Sequence, residues 1–236
     1  MNTHKVITLT NDWPTILMGE TLIFSLLGKI LYTNPREDFL RSLTEQEVFT
    51  GVPFGEKQPN TIEGLRLLGK WMDEIDNKIT TENIKDIQVD YTRLFTGMLK
   101  VPVAPWESIY FNEEHLLFQE QTLDVRSWYG RFGLELEKKH KEPDDHIGLE
   151  LSFVGHLAQK ALLALESGDE NAFNQILDAK QDFLSQHPLV WIPTWCDQII
   201  IHANTDFYRG LAMLVWGSLK EVSEIFDLEI KELIGV

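Results

Sequence analysis

The chain has a single cysteine, Cys196, in 236 residues, so no disulfide can form within it. That fits a reducing compartment and removes disulfide frameworks from consideration. Basic residues are also scarce: 21 Lys and Arg face 37 Asp and Glu, a formal net charge of −16. Such a field repels nucleic acid unless one face is locally basic, and the only basic pair of note is Lys138-Lys139. No nucleic-acid partner is expected. The same field favours encounter with a basic polypeptide. There is no G-x-x-x-x-G-K or G-x-G-x-x-G phosphate loop, no H-E-x-x-H and no G-x-S-x-G, so the common nucleotide, zincin and hydrolase signatures are missing. No Arg-Arg pair occurs, and Met1–Pro14 lacks a cationic region and a cleavage site. No export signal is therefore expected. The most apolar run, Ile16–Leu31, is interrupted by Glu20 and Lys29 and reads as a core helix, with no integral membrane segment. A cytoplasmic location is the expectation.

What is abundant is helical spacing. Ile23, Phe24, Leu27, Ile30 and Leu31 share a stripe, with Thr15 as cap and Asn34-Pro35 as stop. Only short turns are expected around Arg36–Leu43 and Glu45–Phe49. Further stripes run through Leu65–Ile79, Ile84–Met98 (closed by Gly97), Phe118–Phe132, Ile147–Leu165, Phe173–Leu184, Trp191–His202 and Phe207–Phe226. Glu142-Pro143-Asp144-Asp145-His146 predicts a helix start, with Pro in the first turn and acids at the positive end of the dipole. No sustained period-2 alternation is present. The fold class is all-α, about nine or ten helices around one core, a single domain over residues 1–236 with a possible hinge at Lys138–Asp145.

Between two helical segments lies Val101–Tyr110, V-P-V-A-P-W-E-S-I-Y. Pro102 and Pro105 exclude a regular helix and stiffen the connector. Trp106 and Tyr110 on it are candidate binding anchors, because aromatics on a rigid loop suit that task; packing into the core is the alternative. The polar cluster Asp145, His146 and Glu150 could hold a divalent metal or do acid–base work, although its spacing is no known ligand signature. Cys196, in an apolar helix, reads as a small core residue. His115, His140, His187 and His202 read as surface or satisfied histidines.

Tyr91-Thr92-Arg93-Leu94-Phe95, Pro102-x-x-Pro105-Trp106-Glu107-Ser108-Ile109-Tyr110, Glu142 to Glu150, and Thr205-Asp206-Phe207-Tyr208-Arg209-Gly210-Leu211 together resemble the TorD/DmsD family of cytoplasmic chaperones. Asp206 stands where the family more often has Pro. The likeness covers about Asp90 to Leu219, and the DmsD-like branch is favoured. The resemblance implies an all-helical protein that is not an enzyme and has no cofactor of its own. It also implies binding of the twin-arginine signal peptide of a molybdenum-cofactor oxidoreductase of the dimethyl-sulfoxide-reductase type, which holds the client's catalytic subunit back from export until its cofactor is inserted. The twin-arginine translocase is a possible further partner. The family's peptide-binding positions fall on Tyr91, Leu94, Phe95, Pro105, Trp106, Asp145 and His146. Tyr110 and Asp144 join them on the physical reading above: an aromatic on the stiff loop, and a second carboxylate for the guanidinium fork. Glu142 and Pro143 complete the motif, and Gly148 is expected to allow close packing against a neighbouring loop. Asp145 should then carry part of the salt dependence of binding. The first turn of the helix after Pro143 is expected to face the Trp106 loop across a peptide groove.

Overall fold

A computed structural model describes residues 12–75, 79–96, 101–111, 114, 116–135, 142–231 and 233. Among them are nine α-helices and no strand: α1 (Trp13–Tyr32), α2 (Glu37–Glu45), α3 (Pro59–Glu74), α4 (Thr81–Phe95), α5 (Glu120–Arg131), α6 (Ile147–Glu166), α7 (Glu170–Gln186), α8 (Pro188–His202) and α9 (Asp206–Phe226). A 3₁₀ turn, Glu107–Tyr110, lies between α4 and α5. The all-α expectation holds. Met98, Gly97, His115, His140 and half of the proposed hinge at 138–145 (residues 138–141) fall outside the described residues.

Two antiparallel crossings organise the core. In the first, α1 lies against α6 so closely that a Cβ on Gly148 would sit 2.7 Å from the backbone of Tyr32. Real side chains do not tolerate that approach, so Gly148 is required for packing. Its neighbour is the last turn of α1, not a loop as the sequence suggests. In the second, α3 lies against α9, with Gly64 beside Gly210 and Leu214. Ile23, Phe24, Leu27, Ile30 and Leu31 of α1 join Leu151, Val154 and Leu157 of α6 in one hydrophobic cluster that extends through α7, α8 and α9. By length and composition α1 is the one described helix that could cross a membrane; here its apolar stripe is packed into the core. Glu20 of α1 and Lys180 of α7, both wholly buried, form an ion pair inside this cluster, with the ammonium 4.6 Å from the Phe226 ring centre.

Several helix ends match their sequence signals. Asp169 accepts from Ala172 N–H at 2.9 Å, Thr205 accepts from Tyr208 N–H at 3.4 Å, and Gly133 and Gly168 follow their helices with φ of +75° and +73°. Three expectations are corrected. Residues 37–45 form a nine-residue helix, not loose turns: Leu40 and Leu43 are buried, which supplies the packing that its polar composition conceals. The first helix begins at Trp13 with Pro14 in its first turn, and Thr15 Oγ1 donates to Asp12, so Thr15 lies inside the helix. The helix after Pro143 starts four residues later, at Ile147, because His146 is held extended by its pairing with Trp106 of the proline connector.

Candidate functional site

The connector is a strap pinned at both ends. Val103 N–H donates to Leu94 O at 3.3 Å, tying it to the end of α4. Ile147 N–H donates to Pro105 O at 2.8 Å and Glu107 N–H to Asp145 O at 2.9 Å. These two bonds make an isolated antiparallel bridge between Trp106 and His146. The two motifs are therefore in direct contact. Backbone pairing brings the Trp106 loop and the residues before α6 together at this point.

Asp145 is wholly buried. One carboxylate oxygen accepts from Ser108 N–H at 2.7 Å and the other from Thr122 Oγ1 at 2.7 Å. Asp144 is bound by Arg126 at 2.6 Å, and its carbonyl accepts from Tyr129 OH at 3.1 Å. Both oxygens of Asp145 are thus engaged by its own chain, while both Arg126 nitrogens bond one oxygen of Asp144, Oδ2. His146 is the N-cap of α6: its Nδ1 accepts from Gly148 N–H at 3.0 Å. Burial pulls its pKa down to about 3, so the imidazole is neutral and serves as an acceptor. Pro143 and Pro105 are buried and Glu142 is partly exposed.

Tyr91, Leu94 and Phe95 point inward. Phe95 stacks on Trp195 with centroids 6.0 Å apart and packs edge-on against Tyr91 and Tyr208. Tyr110 is also core, 8% exposed. It lies against Trp191, and its hydroxyl donates to Ala104 O at 3.0 Å. The expectation that Tyr110 is displayed is corrected: the 3₁₀ turn after Trp106 rotates it under the strap. Trp106 itself is half-buried, edge-on to His146 at 5.9 Å. Tyr32 meets His146 in the same way at 5.3 Å. Tyr32, His146 and Trp106 form a row in which only the two outer rings reach the surface.

The sequence reading misses Tyr32, Asp90, Thr122 and His187. Asp90 is buried and accepts from Asn204 N–H at 2.9 Å, from Thr205 N–H at 2.8 Å, from Thr205 Oγ1 at 2.9 Å and from Arg93 at 2.7 Å. It joins the Tyr91–Phe95 motif to the Thr205–Leu211 motif. Thr122 occupies a stripe position with Val125 and Tyr129, a hydroxyl at a buried place that signals a hydrogen-bond role. His187 is 3% exposed, with Nδ1 2.8 Å from Glu107 Oε2 and Nε2 3.3 Å from Asp124 Oδ2. Glu107 is pushed up to about 9, first by burial and then by Asp145. Glu150, bonded by Trp191 Nε1 at 3.0 Å, is also raised by burial and by Glu107. Asp145, His146 and Glu150 each face a different partner, and among the described residues no group of three or more His, Cys, Asp or Glu is placed to hold a metal ion.

The sign of the His146 shift gives a pH prediction. A histidine depressed to about 3 from 6.5 lets the unfolded chain take up its proton first as pH falls. Its stabilising contribution is complete above about pH 6.5 and is lost towards pH 3, with about 2 kcal/mol gone between pH 7 and pH 5. His146→Asn keeps an N-cap acceptor without the titration. In urea unfolding, the stability gap between wild type and this variant should narrow by that amount on acidification. Parallel pH profiles would contradict the assignment.

Comparison with known proteins follows the same geography. The profile described as nitrate reductase delta subunit matches residues 61–197, which include α4, the strap and the start of α6. A Tat proofreading chaperone DmsD from Salmonella typhi is 31% identical over 134 residues, 57% of this chain and 59% of that protein. The match thus takes in about three fifths of that relative's length. A protein from Haemophilus influenzae, named a probable Tat proofreading chaperone DmsD, is 28% identical over 204 residues, covering 83% and 86% of the two chains. Chaperone protein TorD of Aliivibrio fischeri is 26% identical over 150 residues, covering 64% of this chain and 65% of that one. The chain belongs to the nitrate reductase delta subunit family, among the relatives that include TorD and DmsD.

Proposed function

We propose that this protein is a redox-enzyme maturation chaperone that binds the twin-arginine signal peptide of a molybdenum-cofactor oxidoreductase. It would hold the client's catalytic subunit in the cytoplasm while the cofactor is inserted. The names of its relatives are those of chaperones, not enzymes. The observation that carries the proposal is the Trp106–His146 bridge. It fixes a half-exposed tryptophan, beside the half-exposed Tyr32, on a strap that cannot drift. Rigid aromatic surface of this kind is a low-entropy platform for an apolar segment. The charge of −16 supplies the complementary attraction for the arginines. In this proposal Trp106 touches the peptide. Tyr91, Leu94, Phe95, Pro105, Tyr110, Asp144, Asp145 and His146 hold the platform in place from below. A later contact with the twin-arginine translocase would follow release.

The test is co-elution of the protein with a carrier fused to a twin-arginine leader. Complex formation that is lost when the leader is deleted is the expected result. Equal binding to the leaderless carrier, or none to either, would overturn the proposal.

A further inference from the structure

A cavity of about 640 Å³ lies beside the strap, lined by Glu107 and Phe111 of the 3₁₀ region, Glu120, Leu123 and Asp124 of α5, and His187 at the α7–α8 junction. Its polar side is acidic. Glu120 and Asp124 are one helical turn apart and so share a face. Glu107, 1% exposed, forms the floor. Among the described residues Lys231 is the one lysine or arginine of the lining. His187 Nε2 is buried and faces Asp124, yet has no hydrogen-bond partner of good geometry. The lip is apolar, with Phe111 39% and Leu123 60% exposed.

We propose that this cavity receives an arginine side chain of the bound polypeptide, with Asp124 on its wall and Glu107 on its floor taking the guanidinium and Phe111 and Leu123 contacting the adjoining apolar residues. The chemistry is specific. A guanidinium offers a planar fork of five N–H donors, which two separated carboxylates and a neutral imidazole acceptor can satisfy together. Both oxygens of Asp145 are engaged by its own chain and Asp144 is bonded by Arg126, whereas the Asp124 side chain is 53% exposed. The inference rests on leader binding and adds Asp124 and His187, which the sequence motifs do not mark, to Glu107 of the strap motif.

A proton is part of the step. Glu107 is faced by His187, by Asp124 of α5, by Glu150 of α6, by Asp145 before α6 and by Tyr129. Among so many acids it holds a proton at neutral pH, and the bond to His187 Nδ1 is then donated by the carboxyl. When a guanidinium binds, the carboxyl proton passes to His187 Nδ1 and the Nε2 proton leaves to solvent, so Glu107 becomes a carboxylate and Nε2 becomes the acceptor. Binding therefore tightens as pH rises towards about 9.

Titration calorimetry with three reagents tests this: an Arg-Arg leader peptide, the same peptide with both arginines changed to glutamine, and Asp124→Asn protein. The Asp124 side chain is 53% exposed, so this variant should fold. Asp124→Asn is expected to weaken the Arg-Arg peptide by about tenfold and to reduce the salt slope, with no change for the Gln-Gln peptide. Glu107→Gln should abolish the tightening with pH. Wild-type affinity and salt slope in Asp124→Asn would overturn the cavity assignment while leaving leader binding intact. Failure of wild-type protein to bind the Arg-Arg peptide would overturn both.

Discussion

Asp145→Ala is expected to lower the unfolding free energy by about 2–4 kcal/mol. The carboxylate is wholly buried and accepts from Ser108 N–H and Thr122 Oγ1. Truncation removes this acceptor from both donors in a site too closed for bulk water. The damage spreads because those donors belong to different elements, the 3₁₀ turn and α5, which Asp145 ties to the start of α6. Asp145→Asn keeps one acceptor but turns an NH₂ towards the other donor, so an intermediate loss is expected. Urea unfolding reads both, and an Ala variant within about 0.5 kcal/mol of wild type would refute the structural role. The sequence reading gives Asp145 a share of the salt dependence of peptide binding. Burial argues for a different outcome: Asp145→Asn should leave the salt slope unchanged and Asp124→Asn should reduce it.

Trp106→Ala is the second large effect, and it falls on binding. The strap is held by backbone bonds of Val103, Pro105, Glu107 and Ile147, not by the indole. Truncating the side chain therefore removes the aromatic surface and leaves its support. A half-exposed tryptophan at the centre of a rigid platform fits the profile of a hot spot, for which losses of about 2 kcal/mol or more are usual.

The helices were legible where an apolar stripe keeps its spacing over several turns, as in α4 and α9. Short α2 was not, since its three apolar residues, Phe39, Leu40 and Leu43, give too few periods to stand out. The start of α6 was misplaced because local rules favour Pro143 in a first turn, whereas pairing with a strap forty residues away holds His146 extended. The candidate site was legible as a set of motifs but not as an arrangement. Nothing local says that Tyr110 turns inward while Trp106 stays half-exposed, or that Asp145 faces Ser108 rather than solvent. His187 is the sharpest case. It is an isolated histidine in sequence, and only the fold brings it to Glu107 and Asp124 across separations that no motif spans.

The proposal that the strap forms the peptide platform is tested most directly by calorimetric titration of an Arg-Arg leader peptide into wild-type protein and into Trp106→Ala, with circular dichroism to establish that the variant is folded. The expected result is retained helicity with affinity reduced about thirtyfold or more, the equivalent of about 2 kcal/mol. Unchanged affinity in a folded variant would contradict it.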